Sequence, residues 1–200
     1  MTLLLAGPAG DAGDFRVIND FAKDSHWLHG FMRGFTGYGI ILFGLVLVVG
    51  YLIARYREDI AGVAGVFWGG IGAVVALGLN QLISHTVAEP RPFRVLPHVL
   101  VLTHRSTDFA FTSDHAVVAG AIATALLFVD RRLGIFTWCA AIVFAFSRVY
   151  TGVHYPHDVV AGLGLGTAVV LVGRTFMQPL LRWIFDWLAS TALGPIFVSR

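Results

Sequence analysis

The chain has 200 residues and a mass of 21.7 kDa; 56% of its residues are hydrophobic and only 13% are charged. With a mean hydropathy of +0.76 and a formal net charge of +2, it has too few charges to keep a soluble domain solvated. These values argue against a disordered chain, a coiled coil, a cytosolic enzyme and a nucleic-acid-binding domain. They predict one integral membrane domain that occupies residues 1–200.

In chain order, the hydropathy pattern predicts an all-α bundle with five spanning helices and an interfacial helix at each end. Residues 15–35 mix charges with apolar side chains at helical spacing, which is typical of an interfacial lead-in. Five mostly apolar runs follow, each about as long as the hydrocarbon core requires: 34–54, 60–88, 113–130, 133–150 and 158–176. Trp183 and Trp187 suit the headgroup zone and predict a second interfacial helix near the C-terminus.

Charged and small residues predict how these helices are oriented and packed. Arginines occupy the two tightest turns, at 55–57 and 130–132, so the positive-inside rule places these turns in the cytoplasm. Gly162-x-x-x-Gly166 predicts close packing within the bundle. The opposite, outer side then receives every histidine of the chain, and titratable residues gathered at one end of a bundle indicate a site. These histidines are His26, His29, His85, His98, His104, His115, His154 and His157.

Three polar clusters lie at outer helix ends: 89–93, 112–115 and 147–158. Arg91 in the first cluster and Arg148 in the third offer planar guanidinium groups that bind phosphate oxygens in bidentate fashion. Ser113 and the backbone N–H groups that open the third span predict an anion-binding helix terminus. Asp114 adds a negative charge there, and we expect it to cap the helix or to pair with an arginine.

The third cluster also predicts a catalytic pair. His154 and Asp158 have i,i+4 spacing, so the carboxylate can orient the imidazole as a nucleophile toward phosphorus. His115 is the candidate proton donor to the leaving oxygen. Since the arginines and the helix terminus neutralise phosphate charge, neither a metal nor another cofactor is expected. The single cysteine, Cys139, lies in an apolar run and predicts no thiolate metal cluster.

Other interpretations of these residues remain open. His154, His157 and Asp158 match a zinc-ligand pattern. Otherwise, His157, like His98 and His104, is expected in solvent or at a pocket rim. Glu89 is expected to form a salt bridge with Arg94 or Arg105. A different class of function, an anionic-lipid transporter that uses the arginines only as binders, predicts inverted repeats with broken helices, which the sequence lacks.

The motifs resemble those of the type 2 phosphatidic acid phosphatase superfamily, and within it the bacitracin-resistance type of undecaprenyl-diphosphate phosphatase. The first motif is Arg91-Pro92, the second contains Ser113 and His115, and the third comprises Ser147, Arg148, His154 and Asp158. Three positions depart from the family pattern: Ser84 stands in place of lysine, Thr112 of proline and Asp114 of glycine.

The resemblance implies a metal-independent lipid phosphatase that forms a phosphohistidine on His154. Its implied substrate is undecaprenyl diphosphate, and its other partners are membrane lipids. Phosphatidic acid, phosphatidylglycerol phosphate and another prenyl phosphate are the alternative substrates. The implied location is the inner (plasma) membrane, crossed several times, with the active site on the extracytoplasmic face. The oligomeric state stays open.

Overall fold

The computed structural model describes residues 9–197, and this part of the chain is helical, with no strand. The prediction of an all-α bundle is therefore confirmed. A short 3-10 turn, His26–Leu28, joins the first two helices. The α-helices are α1 (Ala9–Asp24), α2 (His29–Tyr56), α3 (Ile60–Val87), α4 (Pro92–Val95), α5 (Asp114–Leu127), α6 (Arg131–Tyr150), α7 (Pro156–Ala189) and α8 (Gly194–Phe197).

Four helical segments are long and apolar enough to cross a membrane: His26–Tyr56, Ile60–Val95, Arg131–Tyr150 and Pro156–Ala189. The fifth predicted span is shorter than expected. Helix α5 has 14 residues, or about 21 Å at 1.5 Å per residue. It packs against α3, α6 and α7, and its polar N-terminus therefore meets protein instead of lipid. Protein around a helix end removes the need to reach the headgroups.

Both predicted interfacial segments differ in extent from the structure. The N-terminal one is divided at Ser25, whose hydroxyl bonds to Phe21 O (2.6 Å) and to the Tyr150 hydroxyl (2.8 Å). This anchor lies where α1 ends and the 3-10 turn that leads into α2 begins. The C-terminal one is the end of α7, which continues through Pro179 to a length of 34 residues. Continuation beyond the proline is stabilised because Phe185 packs on Phe67 of α3, with ring centroids 4.8 Å apart.

Glycines bring the backbones of α5 and α7 into direct contact. A Cβ on Gly166 would lie 2.0 Å from Val117 O, and one on Gly120 would lie 2.5 Å from Leu163 O. Gly162 approaches the carbonyl of Ser113 in the same way, so the small-residue pair packs within the bundle as predicted. This contact places the N-termini of α5 and α7 side by side at one end of the molecule.

Candidate active site

The polar clusters meet in a cavity of about 430 Å³ at the end of the bundle where α5 and α7 begin. Five of the predicted site residues line it: Arg91, Asp114, His115, Arg148 and His154. The two others, Ser113 and Asp158, are completely buried beneath its wall. The structure thus brings together all seven side chains that the sequence singled out from three separate segments.

His154 lies between the loop 96–113 and the first arginine. Its Nδ1 is 2.9 Å from Ala110 O and 3.3 Å from Asp158 Oδ2, two groups that can only accept a hydrogen bond. The proton therefore resides on Nδ1, and Nε2 accepts a hydrogen bond from Arg91 Nη1 at 3.1 Å. The side chain is 2% exposed. Burial lowers the pKa of His154 well below its ordinary value, and the charges of Arg148 and Arg91 lower it further, so the ring is neutral.

Asp158 is held in place by the first turn of α7. Its Oδ2 accepts a hydrogen bond from Tyr155 N at 2.8 Å, which directs the carboxylate back toward His154. Its backbone oxygen accepts a hydrogen bond from Ser113 N at 3.2 Å. The helix dipole favours a negative charge at this position. The ends of α5 and α7 are thereby tied together beneath the cavity.

Arg91 is bound by an acidic partner that sequence reasoning missed. Its Nε and Nη2 lie 2.9 and 2.8 Å from Asp108 Oδ1, and its Nη1 donates to Val153 O at 2.8 Å. Partial burial raises the pKa of Asp108, but hydrogen bonds from Ser106 and Arg91, with the Arg91 charge, outweigh this and hold the pKa below its ordinary value. Asp108 lies in an irregular loop without motif or periodicity, so no local signal indicated this contact.

Arg148, unlike Arg91, has a guanidinium nitrogen without a hydrogen-bond partner in the described part of the chain. The side chain is buried at the end of α6, and the nitrogen without a partner among the described residues is Nε. The hydroxyl of Ser113, also buried, has none either. A buried charge normally requires a partner, because desolvation is costly. Both donors belong to the motifs that meet at the cavity, so an anionic ligand there would satisfy them.

Asp114 has partners other than those expected from the sequence. Its Oδ1 accepts hydrogen bonds from Asn80 Nδ2 (2.6 Å) and Gln81 Nε2 (2.9 Å). The expectation of a helix cap or an arginine partner is thus replaced by two amides of α3, because α5 begins beside that helix. Asn80 also donates to Thr112 O at 3.0 Å and accepts from the Thr112 hydroxyl. Ser84, at the family's lysine position, lines the same cavity.

The expected partners of Glu89 were wrong. Glu89 Oε2 lies 2.9 Å from His157 Nε2. Arg94 donates to Ser106 O instead (3.0 Å), and the guanidinium of Arg105 lies over the Phe93 ring. Glu89 is buried, whereas Arg94 and Arg105 are exposed and make these other contacts.

The histidines without an assigned role behave differently from one another. His98 is exposed and His104 is an exposed residue of the cavity lining, as expected. His157 is not at a rim: it faces Asp11, Glu89 and Asp158. Among the described residues, Glu89, His157 and Asp158 could together hold a metal ion, since one potential ligand atom of each lies within 4.8 Å of the others. His154 is not a member of this group: it contacts Asp158 through Nδ1, while its Nε2 faces Arg91.

Comparison with known proteins agrees with this arrangement. Residues 65–182 match the family model described as PAP2 superfamily. The chain is 31% identical over 174 residues to "Undecaprenyl-diphosphatase BcrC" of Bacillus subtilis (strain 168), with 86% of each chain covered. It is 30% identical over 157 residues to "Bacitracin transport permease protein BcrC" of Bacillus licheniformis, covering 78% of this chain and 75% of that one.

The fold is shared with a solved structure as well. The crystal structure of Aquifex aeolicus LpxE superposes with a TM-score of 0.65 at 24% identity, covering 85% of this chain and 98% of that one. The family resemblance inferred from the motifs is confirmed by the match over 65–182 and by the relative at 31% identity. The chain belongs to the PAP2 superfamily and is a membrane-embedded lipid phosphate hydrolase.

Proposed function

We propose that the protein hydrolyses undecaprenyl diphosphate to undecaprenyl phosphate through a phosphohistidine on His154. One observation carries this proposal: a neutral, buried His154 presents Nε2 toward the cavity beside two guanidinium groups. An unprotonated imidazole nitrogen is nucleophilic, and adjacent fixed cations stabilise the charge that develops on phosphoryl oxygens. The relative at 31% identity carries the name of an undecaprenyl-diphosphatase.

The first chemical step transfers the terminal phosphoryl group to the enzyme. Its oxygens bind Arg91 and Arg148, so that Arg91 Nη1 releases the lone pair of His154 Nε2. This lone pair forms the N–P bond, and the bond from phosphorus to the bridging oxygen breaks, leaving its electrons on the lipid phosphate. His115 donates a proton to that oxygen where the leaving group requires one. Asp158 stabilises the positive charge of the phosphorylated imidazole.

The second step restores the enzyme. Water attacks the phosphohistidine, the N–P bond breaks, and its electrons return to Nε2 while orthophosphate leaves. His115, which is unprotonated at this stage, accepts the proton of the attacking water. Arg91, Arg148 and the N–H groups that open α5 can neutralise the charge on the phosphoryl oxygens, which supports a metal-independent reaction.

We also propose that the site faces the extracytoplasmic side of the inner (plasma) membrane. The arginine-containing turns at 55–57 and 130–132 lie at the other end of the helices from the cavity. Short cytoplasmic loops are enriched in arginine, which supports this orientation. In this orientation, the loop 96–113 over the cavity is accessible to a lipid headgroup from outside.

The test is phosphate release by the purified protein in detergent, with chelator present, from undecaprenyl diphosphate, phosphatidylglycerol phosphate and phosphatidic acid. We expect the diphosphate to be the fastest substrate, because its leaving group is a phosphate, which departs more readily than an alkoxide.

His154→Ala should abolish both phosphate release and labelling of the protein from a radiolabelled terminal phosphate, whereas the exposed control His98→Ala should retain both. Faster release from a monophosphate would reassign the substrate, and activity in His154→Ala would reject the mechanism. Binding of the lipid without any phosphate release would favour a transporter.

A further inference from the structure

The imidazole of His157 lies in a buried cluster behind the proposed nucleophile. Its Nδ1 faces Asp11 Oδ2, and its Nε2 is 2.9 Å from Glu89 Oε2 and 3.2 Å from Asp158 Oδ1. The ring stacks with those of Phe111 and Tyr155, whose centroids lie 5.4 and 5.8 Å away. Because both nitrogens face carboxylate oxygens, each needs a proton to donate, and only the imidazolium form has two.

Charge balance favours the same form of the ring. Asp11, Glu89 and Asp158 have side chains that are at most 10% exposed. Buried carboxylates require compensating positive charge, and in this cluster His157 is the basic side chain in contact with all three. The carboxylates come from α1, from the segment after α3 and from α7. The ring therefore joins three elements that are distant in sequence.

Two of these contacts, those with Asp158 and Glu89, lead to the active site. Asp158 lies between two imidazoles, with Oδ1 toward His157 and Oδ2 toward His154 at 3.3 Å. Glu89 precedes Arg91 by two residues, and its backbone oxygen accepts a hydrogen bond from Ala110 N at 2.8 Å. The carbonyl of the same Ala110 is the 2.9 Å partner of His154 Nδ1. Both acceptors of the His154 proton are thus connected to His157.

We propose that His157 is a positioning residue whose imidazolium, held by Asp11 of α1, fixes Asp158 and the Glu89–Ala110 connection and so orients His154. This proposal rests on the proposed function of His154. It makes the N-terminal helix part of the active-site support. It also gives His157 an electrostatic effect: its positive charge on the far side of Asp158 weakens the attraction of that carboxylate for a proton on His154.

The main experiment compares His157→Gln with wild type in the phosphate-release assay. Glutamine is neutral and cannot donate on two opposite sides as the imidazolium does, so we expect kcat to fall about 10- to 100-fold, as for other supporting residues. KM should change by less than about 2-fold, because the phosphate-binding arginines remain. Asp11→Asn should act in the same direction with a smaller loss. The matched controls are Asp14→Asn, exposed on the same helix, and His98→Gln, and both should match wild type.

The pH profile separates this role from a purely structural one. The charged and titratable groups facing His154 are Arg91, Arg148 of α6, His115 of α5 and Asp158 of α7, and all remain in His157→Gln. Those facing His157 are Asp11, Glu89, Asp158 and Tyr155. Removing the imidazolium strengthens the pull of Asp158 on the His154 proton. The protonated, inactive His154 then persists to higher pH, and the acidic limb of kcat/KM shifts upward. If His157→Gln has the same acidic limb of kcat/KM and the same kcat as the wild type, the proposal is overturned.

A measurement without substrate keeps this test independent of the proposed function. In 15N-histidine-labelled protein at neutral pH, we expect one imidazole with both nitrogens protonated, and its signal should change in Asp11→Asn. Absence of such a ring would overturn the proposal, even if His157→Gln does not fold. Loss of wild-type activity with chelator, restored by zinc, would assign the cluster to a metal instead. Wild-type protein that releases no phosphate but shows the doubly protonated ring would reject the proposed function alone.

Discussion

The two ends of the helical bundle use arginine in opposite ways. At the end opposite the cavity, Arg57 Nη1 pairs with Asp130 Oδ2 at 2.9 Å, and Arg55 donates to Pro195 O at 3.0 and 2.7 Å. At the cavity end, Arg148 is buried and its Nε has no partner in the described chain. Exposed, partnered arginines fasten turns and the C-terminal segment. A buried guanidinium with an unused donor instead indicates a binding site, because a bound anion would supply the missing hydrogen-bond partner and help to offset the cost of desolvation.

The largest effect expected from this contrast is catalytic. Arg148→Ala should lower kcat/KM for the lipid phosphate about 100- to 1000-fold, since it removes a donor to the charged transition state. Arg57→Ala, the matched change at the other end, should leave kcat/KM within about 2-fold of wild type, because an exposed ion pair contributes roughly 1 kcal/mol or less. Steady-state phosphate release by both purified variants measures the difference. Equal losses in the two variants would contradict the contrast.

A smaller effect is expected where an arginine of the cavity already has a partner. Asp108 is 57% exposed and occupies Arg91, so a phosphate must displace it. Asp108→Asn should therefore lower the inhibition constant of inorganic phosphate about 2- to 5-fold. A change of this size corresponds to the energy of a partly exposed ion pair. The control is Asp20→Asn, which changes an exposed pair with Lys23 far from Arg91 and should not alter inhibition. Weaker inhibition in Asp108→Asn would mean that Asp108 orients Arg91 for phosphate instead of competing with it.

The smallest effect concerns stability at the opposite end. A hydrogen bond from Leu133 N and the pairing with Arg57 hold the pKa of Asp130 below its ordinary value. Its contribution to stability is therefore present above the ordinary carboxyl pKa and is lost as the pH falls through the lowered value. Asp130→Asn keeps a good helix cap but loses the charge, which should reduce the free energy of unfolding by about 0.2–1 kcal/mol near neutral pH. Thermal unfolding over a pH series measures this loss, and a difference from wild type that persists in acid would contradict it.

The sequence predicted the features that follow from composition and local spacing. Apolar runs indicated the membrane helices, and the i,i+4 spacing of His154 and Asp158 placed them on one face of a turn. The partners of Glu89 and Asp114 were not predictable in the same way. The donors that these carboxylates contact come close to them only after the helices pack. In the packed structure, Glu89 contacts His157 and Asp114 contacts Asn80. Asp108 and Asp11 had no motif to single them out.

The lengths of α5 and α7 also depended on tertiary packing that the sequence did not reveal. The predicted span 113–130 assumed that every apolar helix meets lipid at both ends, but α5 is surrounded by protein and needs only 14 residues. The segment with Trp183 and Trp187 was predicted as an interfacial helix separate from the span 158–176. Packing of Phe185 against α3 carries α7 through Pro179 to Ala189. Tertiary contacts outweighed the local signal in both cases.

By itself, the sequence indicated a helical membrane protein with its histidines at one end and the phosphatase motifs at that same end. Hydropathy and spacing are local properties, and the bilayer permits few ways of burying such a chain. Only the tertiary structure decided which donor meets which acceptor: the occupied Arg91, the unpartnered Arg148 Nε and the imidazole of His157 between three carboxylates. Those pairings depend on distances of a few ångströms between segments far apart in the chain, and the contact of α5 with α7 sets them.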